Sequence, residues 1–191
     1  LSVMNIKNQE EMFLQNYSGL KDLYIGNSGE LSRIYLPSAI DSVTLSCLSS
    51  LKNVFGKSIR SLEIISLRNL KTIPNIDESL MIRGMTKLKF EIPTRLEHLQ
   101  LSDVKNLVKA QDPIEVKKLY LEYTDDEDNE ESVEWLTEDG LMHSSWVSLT
   151  HVGINIEENL SKRLRYLFLY KISGSIGTTA NIVKLVIDNR K

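Results

Sequence analysis

The chain has 191 residues, a formal net charge of −3, 41% hydrophobic and 26% charged side chains, and four prolines. That balance excludes a disordered or collagen-like chain, fits one folded domain or at most two, and is too mild in charge to imply a nucleic-acid or membrane partner. No apolar run reaches the roughly 18 residues of a membrane span, so no membrane insertion is expected. A single cysteine, Cys47, and three scattered histidines exclude a disulfide scaffold or a cysteine-rich zinc site.

Taken in chain order, the pattern apolar-x-x-apolar-x-apolar recurs at Leu1/Met4/Ile6, Leu20/Leu23/Ile25, Ile40/Val43/Leu45 and Ile59/Leu62/Ile64. Leu80 and Ile82 follow without the first apolar residue, and the full pattern returns at Leu96/Leu99/Leu101 and Val116/Leu119/Leu121. It comes back at Leu149/Val152/Ile154, Leu164/Leu167/Leu169 and Ile182/Leu185/Ile187. With the middle residue as a marker, the first steps along the chain are 19, 20, 19, 18, 19 and 20 residues. A second apolar series lies five and eight residues past the marker, at Leu48 and Leu51, Leu67 and Leu70, Met85 and Leu88, and Val104 and Leu107. Pro37, Pro74, Pro93 and Pro113 each precede a marker by six residues, a phase that suits an extended return segment outside a sheet.

A strand of three to five residues cannot bury its own inner face, but stacked in parallel at about 4.8 Å it pairs every backbone group with the next rung and builds one continuous core. The sequence therefore predicts a single solenoid domain over residues 1–191, with about 9 to 11 repeats. Segments such as Ile92-Pro93-Thr94-Arg95-Leu96-Glu97-His98-Leu99-Gln100-Leu101 resemble leucine-rich repeats, most closely the short-repeat branch of bacterial effectors and some protists. The resemblance implies a leucine-rich-repeat solenoid: a right-handed parallel β-strand stack with little helix, its convex side made of turns, extended segments or 3₁₀ turns. The chain departs from the effector pattern in having Leu48, Leu67, Met85 and Val104 where those repeats ladder an asparagine, which argues for wholly apolar rungs.

The rhythm breaks between Leu119 and Val152. An acidic loop is expected at about 122–132, and residues 133–151, with Val133, Trp135, Leu141 and Leu149, read as an irregular or degenerate repeat. The run from Glu122 to Glu131 is either a solvated insertion or a docking patch for a basic partner. The next step, from Val152 to Leu167, is only 15 residues. Neither terminal rung is built as a cap, so the reading is either an excerpt of a longer chain or end-to-end self-association.

Side chains flanking the inward leucines point onto the concave face. Before the markers stand Val3, Asp22, Ser42, Ser61, Ser79, His98, Lys118, His151, Tyr166 and Lys184, and after them residues such as Asn5, Tyr24, Tyr120, Gly153 and Phe168, with Asn155 and Tyr170 two further on. Tyr120, Tyr166, Phe168 and Tyr170, with His98 and Lys118 beside them, are the expected patch for a protein partner, because aromatic and basic side chains dominate binding hot spots. The competing reading is that these rings fill a two-sided sheet beneath an added segment. A non-catalytic protein-interaction module is expected; the alternatives are a structural spacer in a larger protein, or a cell-surface or secreted adhesive repeat glycosylated at Asn16 or Asn159. The default compartment is cytoplasmic. No enzyme, cofactor or metal is expected: His98 and His151 fall roughly 10 to 15 Å apart at strand spacing, and Gly174-Ser175-Ile176-Gly177 lacks the spacing of a nucleophile elbow.

Overall fold

The computed structural model describes residues 1–85, 90–104, 112–124, 136–137, 141, 143–156, 162–176 and 182–188. The inward leucines form columns. Leu62 lies opposite Leu80, Leu80 opposite Leu99, Leu99 opposite Leu119, Leu119 opposite Val147 and Val147 opposite Leu167. All six are fully buried, as are Ile64, Ile82, Leu101, Leu149 and Leu169 two residues further on. Each such side chain contributes about 1.5–3 kcal/mol by leaving water, which no isolated rung can obtain.

The strands that carry these columns are β1 (Ser2–Met4), β3 (Asp22–Gly26), β5 (Ile40–Ser46), β7 (Ser58–Ile65), β8 (Asn75–Met85), β9 (Arg95–Val104), β10 (Glu115–Glu122), β11 (Trp146–Thr150), β13 (Tyr166–Tyr170) and β15 (Lys184–Asp188). They make one ten-stranded parallel sheet in chain order, so the fold is a parallel β-solenoid with almost no helix. The opposite side carries two further parallel sheets. One joins β2 (Glu11–Phe13), β4 (Arg33–Tyr35) and β6 (Asn53–Phe55), and the other β12 (Gly153–Ile156) and β14 (Ser173–Ile176). The first ends in a single bridge from Asn53 to Thr72. The next residues on that segment are Ile73 and Pro74, and proline has no backbone donor with which to extend a ladder.

In most rungs the chain turns at the same corner. Four residues past the marker, Asn27, Cys47, Ser66, Gly84, Asp103 and Lys171 have positive φ, between 47° and 63°. The amide of Asn27, Cys47, Ser66 or Lys171 donates to the carbonyl of the next rung, at Ser46, Ile65, Arg83 and Asp188 respectively. The corner keeps the ladder paired while the chain turns away, at a steric cost that Asn, Asp and Gly bear most cheaply.

This corner corrects two rungs. Asn5 also has positive φ and Val3 pairs with Ile25, which phases Leu1 with Leu23, so the first marker is Leu1 and not Met4. His151 likewise has positive φ, and Val147 pairs with both Leu119 and Leu167, so the eighth marker is Val147 and not Val152. Val152 is buried beyond the corner, in the place that Leu48 and Leu67 take in their rungs. The short step disappears, and the long one is the passage of 28 residues from Leu119 to Val147. Within that passage Leu136 and Leu141 are buried and have helical backbone, which replaces the extended segment of other rungs. Glu122 ends β10 rather than starting a loop; the acidic residues 125–131 and Val133 and Trp135 lie outside the described residues. Apart from this helical stretch, the described return segments are extended or turns, without 3₁₀ helix.

The rung at Leu80 does not lack its first apolar residue. A register shift between Ile59 and Ser61 brings Ile76 opposite Ile59, so a bulge delivers an isoleucine to the place that spacing assigns to Asp77.

Candidate functional site

On the outer face of the ten-stranded sheet, side chains just before and just after the markers stand in two columns. In β5, β7 and β8 the first column holds Ser42, Ser61 and Ser79, which leave the surface low and polar. From β9 onward the same column holds His98, Lys118, Trp146, Tyr166 and Lys184, successive neighbours in register. The second column there reads Gln100, Tyr120, Ser148, Phe168 and Val186.

The rings of the contact band alternate between the columns, Gln100 and Ser148 standing beside His98 and Trp146, while on β13 both columns carry a ring, Tyr166 and Phe168. The His98 ring centroid lies 4.8 Å from that of Tyr120, Tyr120 lies 4.1 Å from Trp146, and Trp146 lies 5.0 Å from Phe168. The rings are tilted by 54°, 36° and 36°. The Lys184 ammonium closes the band, 5.4 Å from the Phe168 centroid, within range of a cation–π contact. The band zigzags over five rungs, with diagonal neighbours at the reach that long side chains span across strands.

Of the residues singled out from sequence, His98, Tyr120 and Phe168 belong to this band. Tyr166, 41% exposed, stands in register between Trp146 and Lys184, and Lys118 between His98 and Trp146. Tyr170 lies two residues further along β13, opposite Thr150 and Asp188. Val3, Asn5, His151, Gly153 and Asn155 leave the list with the rephasing. Val3 packs against the core, Asn5 and His151 form corners, and Gly153 and Asn155 sit in β12. His151 Nδ1 is 2.6 Å from the Tyr123 carbonyl oxygen, which removes it from any site with His98.

Trp146, at the centre of the band, escaped the sequence pattern because the residue three before its marker is Ser144, where other rungs have an apolar side chain. Ser144 is fully buried all the same. The pair Val147 and Leu149, flanked by Trp146 and Ser148, was the surviving signal. A second row was also missed. Phe13, Tyr35 and Phe55, each twelve residues past the markers Leu1, Leu23 and Val43, stack across β2, β4 and β6 with centroids 4.7 and 4.9 Å apart and planes within 8° and 21°.

The rings of the band carry no formal charge, and the cations Lys118 and Lys184 stand beside them. Burial first, and the nearby Lys118 ammonium second, hold the His98 imidazole below its ordinary pKa, which favours the uncharged ring at neutral pH. Its Nε2 is buried and has no hydrogen-bond partner among the described residues. Burial also pushes the Tyr120 phenol up, so it keeps its proton. No group of three or more metal-ligating side chains occurs among the described residues. What the arrangement offers chemically is contact area: four rings on neighbouring strands, with the Lys184 ammonium at one end and the Lys118 ammonium on the same strand as Tyr120. The chain matches no protein-family model, no curated protein and no solved structure.

Proposed function

We propose that this chain is a leucine-rich-repeat protein of the short-repeat type and works as a non-catalytic protein-interaction module, binding its partner on the outer face of the ten-stranded sheet from β9 to β15. The observation that carries the reading is the continuous ring band His98–Tyr120–Trp146–Phe168. Rigid aromatic side chains lose little entropy on binding and supply most of the area in interaction hot spots. The regular step of 18 to 20 residues from Leu23 to Leu119 supports the repeat class, as do the leucine columns.

The reading is tested by affinity capture with the native chain beside a Trp146→Ala/Phe168→Ala double variant. Proteins retained by the native chain are expected to be lost from the variant while its circular dichroism and melting temperature stay close to native. Retention of the same proteins by the variant overturns the reading. So does unfolding of the variant, which would make the band part of the scaffold.

A further inference from the structure

The column that holds Trp146 also holds two ammonium groups, Lys118 and Lys184, one on each side of the pair Trp146 and Tyr166. In order along the solenoid it reads His98, Lys118, Trp146, Tyr166, Lys184. Neighbouring cations are already engaged: Lys117 Nζ is 2.6 Å from Glu97 Oε1, and Arg95 pairs with Glu115 at 3.7 Å. Lys118 and Lys184 make no ion pair among the described residues, and both are exposed. Lys184 instead lies over the Phe168 ring, a placement that leaves its remaining donors open.

Carboxylates stand on the same face but elsewhere. Glu122 ends β10 and Asp188 ends β15, four residues past Lys118 and Lys184 respectively. At strand rise that is about 13 Å away, along the opposite border of the band. The face is therefore polarised across the strands, with cations and rings on the line from Lys118 to Lys184 and carboxylates on the line from Glu122 to Asp188.

We infer that the partner is an acidic protein segment, lying across the rungs along the line Lys118–Trp146–Tyr166–Lys184, with a carboxylate over each lysine and an apolar side chain between them over Trp146 and Tyr166. The inference rests on the function proposed above and adds the chemistry of the partner. Lys118 and Lys184 are three rungs apart, about 14 Å, which an extended chain covers in about four residues. The motif is two acidic residues separated by three others, with an apolar residue midway. A peptide can put charge at those two points alone. A nucleic acid would also bring phosphates over Trp146 and Tyr166, where the column carries no cation, which disfavours it.

The probes are three capped synthetic peptides of this pattern, carrying glutamate, glutamine or lysine at the two outer positions and leucine between them. They are titrated into the whole chain and followed by amide chemical shifts. The glutamate peptide is expected to perturb Tyr120, Trp146, Tyr166 and Phe168 and to bind at least about fivefold more tightly than the glutamine peptide. Its affinity should fall by a similar factor between about 50 and about 300 mM salt. It should also drop to the level of the glutamine peptide in a Lys118→Gln/Lys184→Gln variant, whose fold is checked by circular dichroism. Equal binding of all three peptides at the band overturns the acidic partner and leaves the interaction face standing. Preference for the lysine peptide overturns it in favour of the Glu122–Asp188 border. Failure of every peptide to perturb the band overturns it as well, and the double-alanine capture then decides whether the face itself survives.

Discussion

Phe13, Tyr35 and Phe55 come from one position in three consecutive repeats, and their rings lie nearly parallel, face on face. Tyr120, Trp146 and Phe168 come alternately from two positions and lean on one another at a tilt. In the first row Tyr35 spends both of its faces on neighbours, which is how a repeat protein converts one sequence position into a stabilising ladder. In the second row no ring sits flat on the next; Tyr120, Trp146 and Phe168 are half-buried, whereas Phe13 and Phe55 at the ends of the first row are exposed. Periodicity marks the scaffold, and departure from it marks the surface where a partner can be distinguished.

Both rows rest on the same leucine columns, and the largest expected effect lies there. Leu99 is fully buried between Leu80 and Leu119, directly beneath His98 and Gln100. Leu99→Ala should cost about 2–5 kcal/mol by opening a cavity that two rigid neighbouring rungs cannot close. Urea unfolding measures it. A loss below about 1 kcal/mol would mean that the column is not the frame on which the comparison stands.

The rows themselves come next, and they should respond in opposite ways. Tyr35→Ala removes two stacked pairs, each worth about 0.5–1.5 kcal/mol beyond burial, so it should lower stability by about 1–3 kcal/mol and leave partner capture unchanged. Trp146→Ala also removes two ring contacts, but it should in addition abolish capture. If Tyr35→Ala removes the partner while Trp146→Ala spares it, the assignment of the two rows is reversed.

Most of the fold was legible because burial of a solenoid rung repeats at fixed spacing, and the leucines from Leu23 to Leu119 could be aligned by eye. Legibility failed where one inward position was filled by something other than a large apolar side chain. Ser144 hid the rung of Val147, and Asp77 stood where a bulge supplies Ile76. The error at Val147 displaced the face by five residues and put His151 on it in place of Trp146. Three of the four rings were still placed on this face, since His98, Tyr120 and Phe168 belong to rungs with intact spacing on at least one side. The corner would have corrected the phase, but positive φ falls on Cys47, Ser66, His151 and Lys171 as well as on Asn and Gly, so residue type alone does not reveal it.

Tyr123 offers the smallest effect and the sharpest contrast with Tyr120. The two are three residues apart in the chain, and one is on the outer face while the other is 1% exposed inside the solenoid. Its amide donates to the Thr150 carbonyl at the same corner position as Cys47 or Ser66, yet it is not among the residues with positive φ. Its hydroxyl has no hydrogen-bond partner among the described residues. Burial first, and the Asp103 carboxylate second, push its pKa well above the ordinary phenol value. The unfolded phenol gives up its proton near pH 10 while the folded one keeps it, so this group's contribution is constant below about pH 10 and turns against folding above it. Tyr123→Phe removes an unsatisfied polar atom with little change of shape. It should therefore be neutral or stabilising by about 1 kcal/mol at pH 7, and the gap to the native chain should widen as the pH rises past 10. Urea midpoints of the two proteins at both pH values measure this. A variant less stable than the native chain at pH 7 would show that the hydroxyl has a partner, and Tyr123 would then join the scaffold as a bonded residue and not as a packed ring.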